Sequence, residues 1–205
     1  MKAAGITSCR LFSPVIGKSV WSPFMDDDMI KKRKGFTLIE MLVVVVIIGI
    51  LAALFVPMVV AAVQKAKQKG TMQDMNTMAK AITEYITDRG VPPPQDGPLS
   101  SATAFYSALS GFYLKVMPQN DQWGVAFNVY CGTAIVGANV GGITSAGDDD
   151  FMIQSFGRDR TATPFTYDPL SPTSAFFKVS TMSDFDQDLV NWNGTWIHAP
   201  RHFQQ

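Results

Sequence analysis

From Met41 to Val63 the chain runs for 23 residues without a charged side chain, and this run constrains everything that follows it. A bilayer core takes about 20 apolar residues at about 1.5 Å of rise each, so the segment is long enough to span a membrane as one helix. Lys31-Lys32-Arg33-Lys34 stands just ahead of it, and such cations prefer the cytoplasmic side. The residues beyond the span are therefore expected on the opposite side. A secretory signal is a poorer reading, because its apolar stretch is about 7–15 residues. Val60-Ala61-Ala62 offers small residues for cleavage, but the run is longer and starts behind an acid, Glu40. An ordinary single-span anchor is the other reading.

The junction Gly35-Phe36-Thr37-Leu38-Ile39-Glu40 resembles the prepilin processing site shared by type IV pilins and the pseudopilins of type II secretion. The resemblance implies that a prepilin peptidase in the membrane cuts between Gly35 and Phe36 and methylates the amino terminus created on Phe36. Gly35 suits that role, since a residue without Cβ lets an extended backbone enter a protease cleft. An acid beside hydrocarbon is costly and is ordinarily paired or functional. By resemblance, Glu40 pairs with the new α-amino group of a neighbouring subunit during assembly. A pair within one chain, because residues four apart share a helix face, and a resting place among the headgroups are the competing readings.

Residues 1–35 are thus expected to be a leader. Pro14, Pro23 and Asp26-Asp27-Asp28 show no apolar periodicity. A start at Met29 would leave Met-Ile-Lys-Lys-Arg-Lys-Gly, the short basic form that this family usually has, so residues 1–28 read as an extension upstream of a true start at Met29 or Met25.

The chain is formally neutral, but its first 35 residues hold seven of 17 Lys and Arg and three of 17 acids, leaving ten cations against 14 anions. Beyond Gly90 the balance is five cations against ten Asp, a poor match for a phosphate backbone, which rewards clustered Lys and Arg. Nucleic-acid binding is not expected. Cys9 lies in the leader, so the processed chain keeps Cys131 alone and closes no internal disulfide. Cys131 reads as a buried residue at a strand end, with a reactive thiol as the lesser alternative.

Met72, Met75, Ala79, Ile82 and Ile86 recur at steps of three and four. That spacing predicts that residues 64–89 continue the 36–63 helix as an amphipathic half packed on a globular domain. Pro57 removes one backbone donor, and Gly49 and Gly70 weaken the helix further. A long, gently kinked helix is expected, ending near Asp88-Arg89-Gly90 before Val91-Pro92-Pro93-Pro94.

Residues 90–205 suffice for one small domain, and their pattern reads as α+β with an antiparallel sheet. Ser100-Ser101 is expected to cap a short helix carrying Phe105, Leu109 and Phe112. Strands are expected at 123–130, 151–156 and 176–179, with Asn193-Gly194 turning a hairpin. Trp123, Trp192 and Trp196 are expected to supply core or to cover the helix.

Tyr113-Leu114-Lys115-Val116-Met117-Pro118, Asp121-Gln122-Trp123-Gly124, Ser155-Phe156-Gly157-Arg158-Asp159 and Asp186-Gln187-Asp188-Leu189-Val190-Asn191-Trp192 are similar to stretches of the major pseudopilins of type II secretion. In that family the loop between the last two binds calcium. The resemblance carries Asp159, Asp186 and Asp188 over as ligands, with Asp184 nearby. Calcium takes six to eight oxygens, carboxylates and carbonyls among them, whereas zinc would need His or Cys. The departure is the long stretch from Arg160 to Ser183, where the family's loop is short and glycine-rich. Solvated acids are the alternative to a metal. Asp148-Asp149-Asp150 reads as a solvated turn, and His198 and His202 as surface residues of the tail.

What the resemblance implies is a structural subunit: a pseudopilin of the bacterial inner membrane, with its domain in the periplasm. It would assemble into a homo-oligomeric helical filament together with minor pseudopilins and an inner-membrane assembly platform, and drive protein export across the outer membrane. A surface pilin for adhesion, motility or uptake is the alternative. A tethered enzyme is a third reading, against which stands the lack of any nucleophile elbow, phosphate loop or zinc triplet.

Overall fold

The computed structural model describes residues 35–201. These fall into two compact units, divided after Val46. The described part of the first, 35–46, holds the beginning of helix α1, which as an element runs Leu38–Arg89 with Pro57 inside it. Lys31-Lys32-Arg33-Lys34, Cys9 and His202 lie outside the described residues.

The second unit pairs the later turns of α1 with a five-stranded antiparallel sheet in the order β1-β2-β3-β4-β5. Its strands are β1 (Asp96–Pro98), β2 (Asn128–Cys131), β3 (Phe151–Ser155), β4 (Leu189–Trp192) and β5 (Thr195–His198). Helices α2 (Ala104–Leu109) and α3 (Ala134–Ala138) lie in the connections. The expected α+β class and antiparallel sheet are therefore observed.

One face of the sheet packs on α1. Met72, Met75, Met78, Ala79 and Ile82 are buried against Val129, Phe151, Ile153 and Leu189, with Phe105, Leu109 and Phe127 completing the cluster. Their spacing along α1 is the stripe that the sequence shows, and the helix ends where expected, with the Gly90 amide still bonded back to Ile86 O at 2.7 Å.

The other face is covered as well, and this was not legible beforehand. Met152, Val190 and Ile197 pack against Ile135, Val140 and Ile143 from α3 and the turn after it, with Phe165 and Tyr167 partly buried on the same cluster. All five residues of β3 are buried in consequence, as expected of a central strand covered on both faces. The unusual 160–183 stretch thus supplies a lid for a second hydrophobic layer.

Several elements differ from expectation. Helix α2 is capped by Thr103, whose hydroxyl accepts from the Tyr106 amide. It stops at Leu109 and leaves Phe112 exposed. The strand expected from Trp123 begins only at Asn128, because one carboxyl oxygen of Asp121 accepts from the Trp123 and Val125 amides, both at 2.9 Å, and holds a turn there. At 176–179 only an isolated bridge forms, Phe177 to Pro200, since proline has no amide to extend a ladder. The hairpin at Asn193-Gly194 forms as expected, with Trp192 opposite Thr195.

Candidate functional site

At the start of α1, Thr37 precedes the first helical residue and Glu40 is the third. The Thr37 hydroxyl accepts from the Glu40 amide at 3.3 Å. In return Glu40 Oε2 accepts from the Thr37 amide at 3.4 Å and from the Thr37 hydroxyl at 3.3 Å. This reciprocal arrangement is a capping box, which satisfies backbone donors that the first helical turn leaves free. It also keeps a carboxylate at the positive end of the helix dipole. Its signal in the sequence is the Thr-x-x-Glu spacing from Thr37 to Glu40.

Gly35, Phe36 and Glu40 are all exposed, and a Cβ at Gly35 would meet nothing within 4 Å. The backbone at the expected scissile bond is sterically open. Through residue 60 every described side chain is exposed, including Val43, Val44, Ile47, Ile48, Leu54 and Phe55. Among the described residues α1 is the one helix long and apolar enough to cross a membrane.

Where burial of α1 begins, the Asp121–Gly124 segment grips the helix. The Trp123 indole donates to Gln64 Oε1 at 2.9 Å, the Gln122 amide to the Thr71 hydroxyl at 3.2 Å, and Gln122 Nε2 to Asp74 at 2.8 Å. Buried Asp121 also accepts from the Ser155 hydroxyl at 2.8 Å, which ties the grip to the end of β3.

The acids expected to hold calcium lie around the β3–β4 connection, each with its own partners. Asp184 accepts from the Ser180 and Thr181 amides at 2.6 Å, bonds that hold its carboxyl below the usual range, and caps a short 3-10 turn at Met182–Asp186. Asp186 forms a two-pronged pair with Arg158, Nε at 2.7 Å and Nη2 at 2.9 Å. Asp188 is fully buried, with one oxygen accepting from Gln154 Nε2 at 2.8 Å and the other from the Thr163 amide at 3.1 Å. Burial pushes its carboxyl up to about 6. Asp159 is exposed and accepts from the Thr161 amide at 3.1 Å. Among the described residues no three His, Cys, Asp or Glu side chains converge on one point. The four acids in this arrangement do not fit a calcium cage.

His198 is not a surface residue. It is buried, its ring stacks on Phe165 at 4.3 Å, and Nδ1 lies 2.7 Å from Asp188 O. Because a carbonyl only accepts, Nδ1 carries the hydrogen. Burial lowers the pKa of the ring. The cover from the 160–183 stretch accounts for this placement, and nothing in the local sequence announced it. Asp148 and Asp149 are exposed, as a solvated turn would have them. Cys131 ends β2 as expected, and burial pushes its thiol up to about 12.

Comparison with known proteins finds a motif match at the start of the chain and relatives among secretion proteins. Residues 30–56 match the prokaryotic N-terminal methylation motif. The type II secretion system core protein G of Aeromonas hydrophila is 35% identical over 101 residues, 46% of this chain and 70% of that protein. Its counterpart in Vibrio cholerae is 35% identical over 100 residues, 46% of this chain and 68% of that protein. That of Dickeya chrysanthemi is 25% identical over 187 residues, covering 80% of this chain and 90% of its own length. No solved structure matches.

Proposed function

We propose a mechanism from the premise that this chain belongs to the type II secretion system core protein G family and is a pseudopilin subunit, anchored in a membrane by a single apolar helix. In this mechanism the subunit waits in the bacterial inner membrane with its domain in the periplasm. A prepilin peptidase removes the leader between Gly35 and Phe36 and methylates Phe36. An assembly platform, with minor pseudopilins, then draws the subunit into a homo-oligomeric helical filament whose growth drives protein export across the outer membrane.

The observation that carries this reading is the contrast along α1. Residues 41–60 expose an unbroken apolar surface, whereas Met72, Met75, Met78, Ala79 and Ile82 are buried on the chain's own domain. A free apolar half can be held in lipid and later buried against identical helices, exchanging lipid contacts for protein contacts. Packing that repeats head to tail without closing gives an open helix. Glu40 at the first turn sets axial register by pairing with the Phe36 amine of a neighbour. No catalytic group enters the mechanism. Mass spectrometry of the processed chain tests it: an amino terminus at methyl-Phe36 is expected, and an active protein still carrying residues 31–35 would refute it. Deletion of the gene should abolish secretion and leave surface pili in place.

A further inference from the structure

The β3–β4 connection shows how this chain departs from a metal-closed loop. Two segments meet there, 155–160 leaving β3 and 181–188 entering β4. Their backbones touch closely: the Arg158 amide donates to Phe185 O at 2.9 Å, and a Cβ on Gly157 would lie 2.9 Å from that same oxygen and 2.8 Å from Gln187 O. The Phe185 carbonyl, near the end of the connection, thus accepts a bond from the other segment. The Asp186 carboxylate is engaged on both oxygens by one guanidinium, a geometry that Arg favours over any point charge. Thr163, from the long 160–183 stretch, donates its amide to Asp188 and its hydroxyl to Asp186 O at 3.2 Å.

We propose that this chain closes the β3–β4 connection with its own groups in place of a divalent cation: the Arg158 guanidinium supplies the positive charge at Asp186, and Thr163 supplies the donors that fix Asp186 and Asp188. A calcium loop must gather about six to eight oxygens, carboxylates and carbonyls among them, on one point. Here each carboxylate is answered separately, and the answering groups come from Arg158, from Gln154 of β3 and from the 160–183 stretch. The 160–183 stretch and the arginine are then two parts of one device, with Arg160 adding a bond from Nη2 to Trp123 O at 3.0 Å that joins the connection to the segment gripping α1.

The test uses the full chain in detergent, followed by thermal unfolding in calcium chloride and in the chelator EGTA. The wild type is expected to melt at the same temperature in both. Arg158→Gln and Asp186→Asn should each lower the melting temperature by roughly 2–4 °C, and the double variant should lose clearly less than the sum, because the two side chains act as a pair. A wild type that melts lower in EGTA and recovers with calcium overturns the proposal without any variant. Strictly additive losses in the two single variants overturn it as well.

Discussion

Thr37 and Glu40 exchange hydrogen bonds in both directions across the first turn of α1, at 3.3 Å and 3.4 Å. Glu40 therefore has a local duty, capping, that is separable from a charge offered to a neighbouring subunit. Glutamine serves in a capping box almost as well as glutamate, so Glu40→Gln removes the charge while keeping the cap. Thr37→Ala does the reverse, at a cost of about 1 kcal/mol of helix stability. Filament yield should fall roughly tenfold or more in Glu40→Gln, as a lost charge-assisted bond of about 1.5–3 kcal/mol implies. Leader cleavage should continue, and Thr37→Ala should assemble nearly normally. Normal filaments from Glu40→Gln would make the acid a cap and nothing more.

Trp123 and Gln64 join the gripping segment to α1 just where helix burial begins. Trp123→Phe keeps most of the apolar ring and deletes the donor, and should cost about 1 kcal/mol. Trp123→Ala also leaves a cavity and should cost roughly 3–5 kcal/mol. Denaturant midpoints of the two variants measure the difference. Equal losses would mean that the indole bond, and not the ring, fixes the segment on α1.

Much of this arrangement was legible because it rests on periodicity. The stripe from Met72 to Ile86 gave the buried face of α1, and Asn193-Gly194 gave the β4–β5 turn. What escaped depends on partners far apart in the chain. Phe165 lies on the sheet only because β3, β4 and β5 have come together, so the burial of His198 beneath it has no local signature. Asp121 suppresses the early part of a strand by bonding two amides, a competition invisible to β-propensity. Asp184, Asp186 and Asp188 stand close together in the sequence, yet the charge that answers Asp186 belongs to Arg158, 28 residues away.

The elevated carboxyl of Asp188 sets a pH dependence. Its pKa rises from 3.8 to about 6 through burial foremost, while the bonds from Gln154 and Thr163 oppose the rise and the charge of Asp159 adds to it. The folded state thus binds a proton more tightly than the unfolded chain, so this group favours folding when protonated. Its contribution is present at about pH 4 and is lost as pH rises through about 6. Buried His198 works in the opposite sense, because its folded pKa is lowered and protonating it disfavours the fold. Comparison with Asp188→Asn cancels the histidine. The stability of the wild type relative to that variant should grow by on the order of 2 kcal/mol between pH 7 and pH 4, read from urea midpoints. A flat difference would place Asp188 in a solvated setting.

Cys131 should be chemically quiet. A thiol pushed up to about 12 is almost wholly protonated near neutrality, and the thiolate is the reactive form. In a Cys9→Ser chain, alkylation by iodoacetamide at pH 8 should be roughly a hundredfold slower in the folded protein than in urea. Comparable rates would show the thiol to be open to solvent and unprotected by β2.

Gly157 offers a sharp measure of how tightly the β3–β4 connection closes, because Gly194 supplies its control. Both residues sit in the left-handed region, at φ +74° and +79°, where an L side chain costs about 1–2 kcal/mol. Around Gly194 nothing lies within 4 Å of a Cβ, whereas at Gly157 that atom would stand 2.8 Å from Gln187 O and 2.9 Å from Phe185 O. Those neighbours are backbone and cannot swing aside like the tip of a side chain. Gly194→Ala should therefore cost the conformational term alone, and Gly157→Ala that term plus about 1–3 kcal/mol of overpacking. The second variant should also weaken the Arg158–Asp186 pair, since relief of the clash requires the two segments to part. Equal losses for the two alanines, measured by thermal unfolding, would mean that the segments are not in contact and that the pair spans a looser loop.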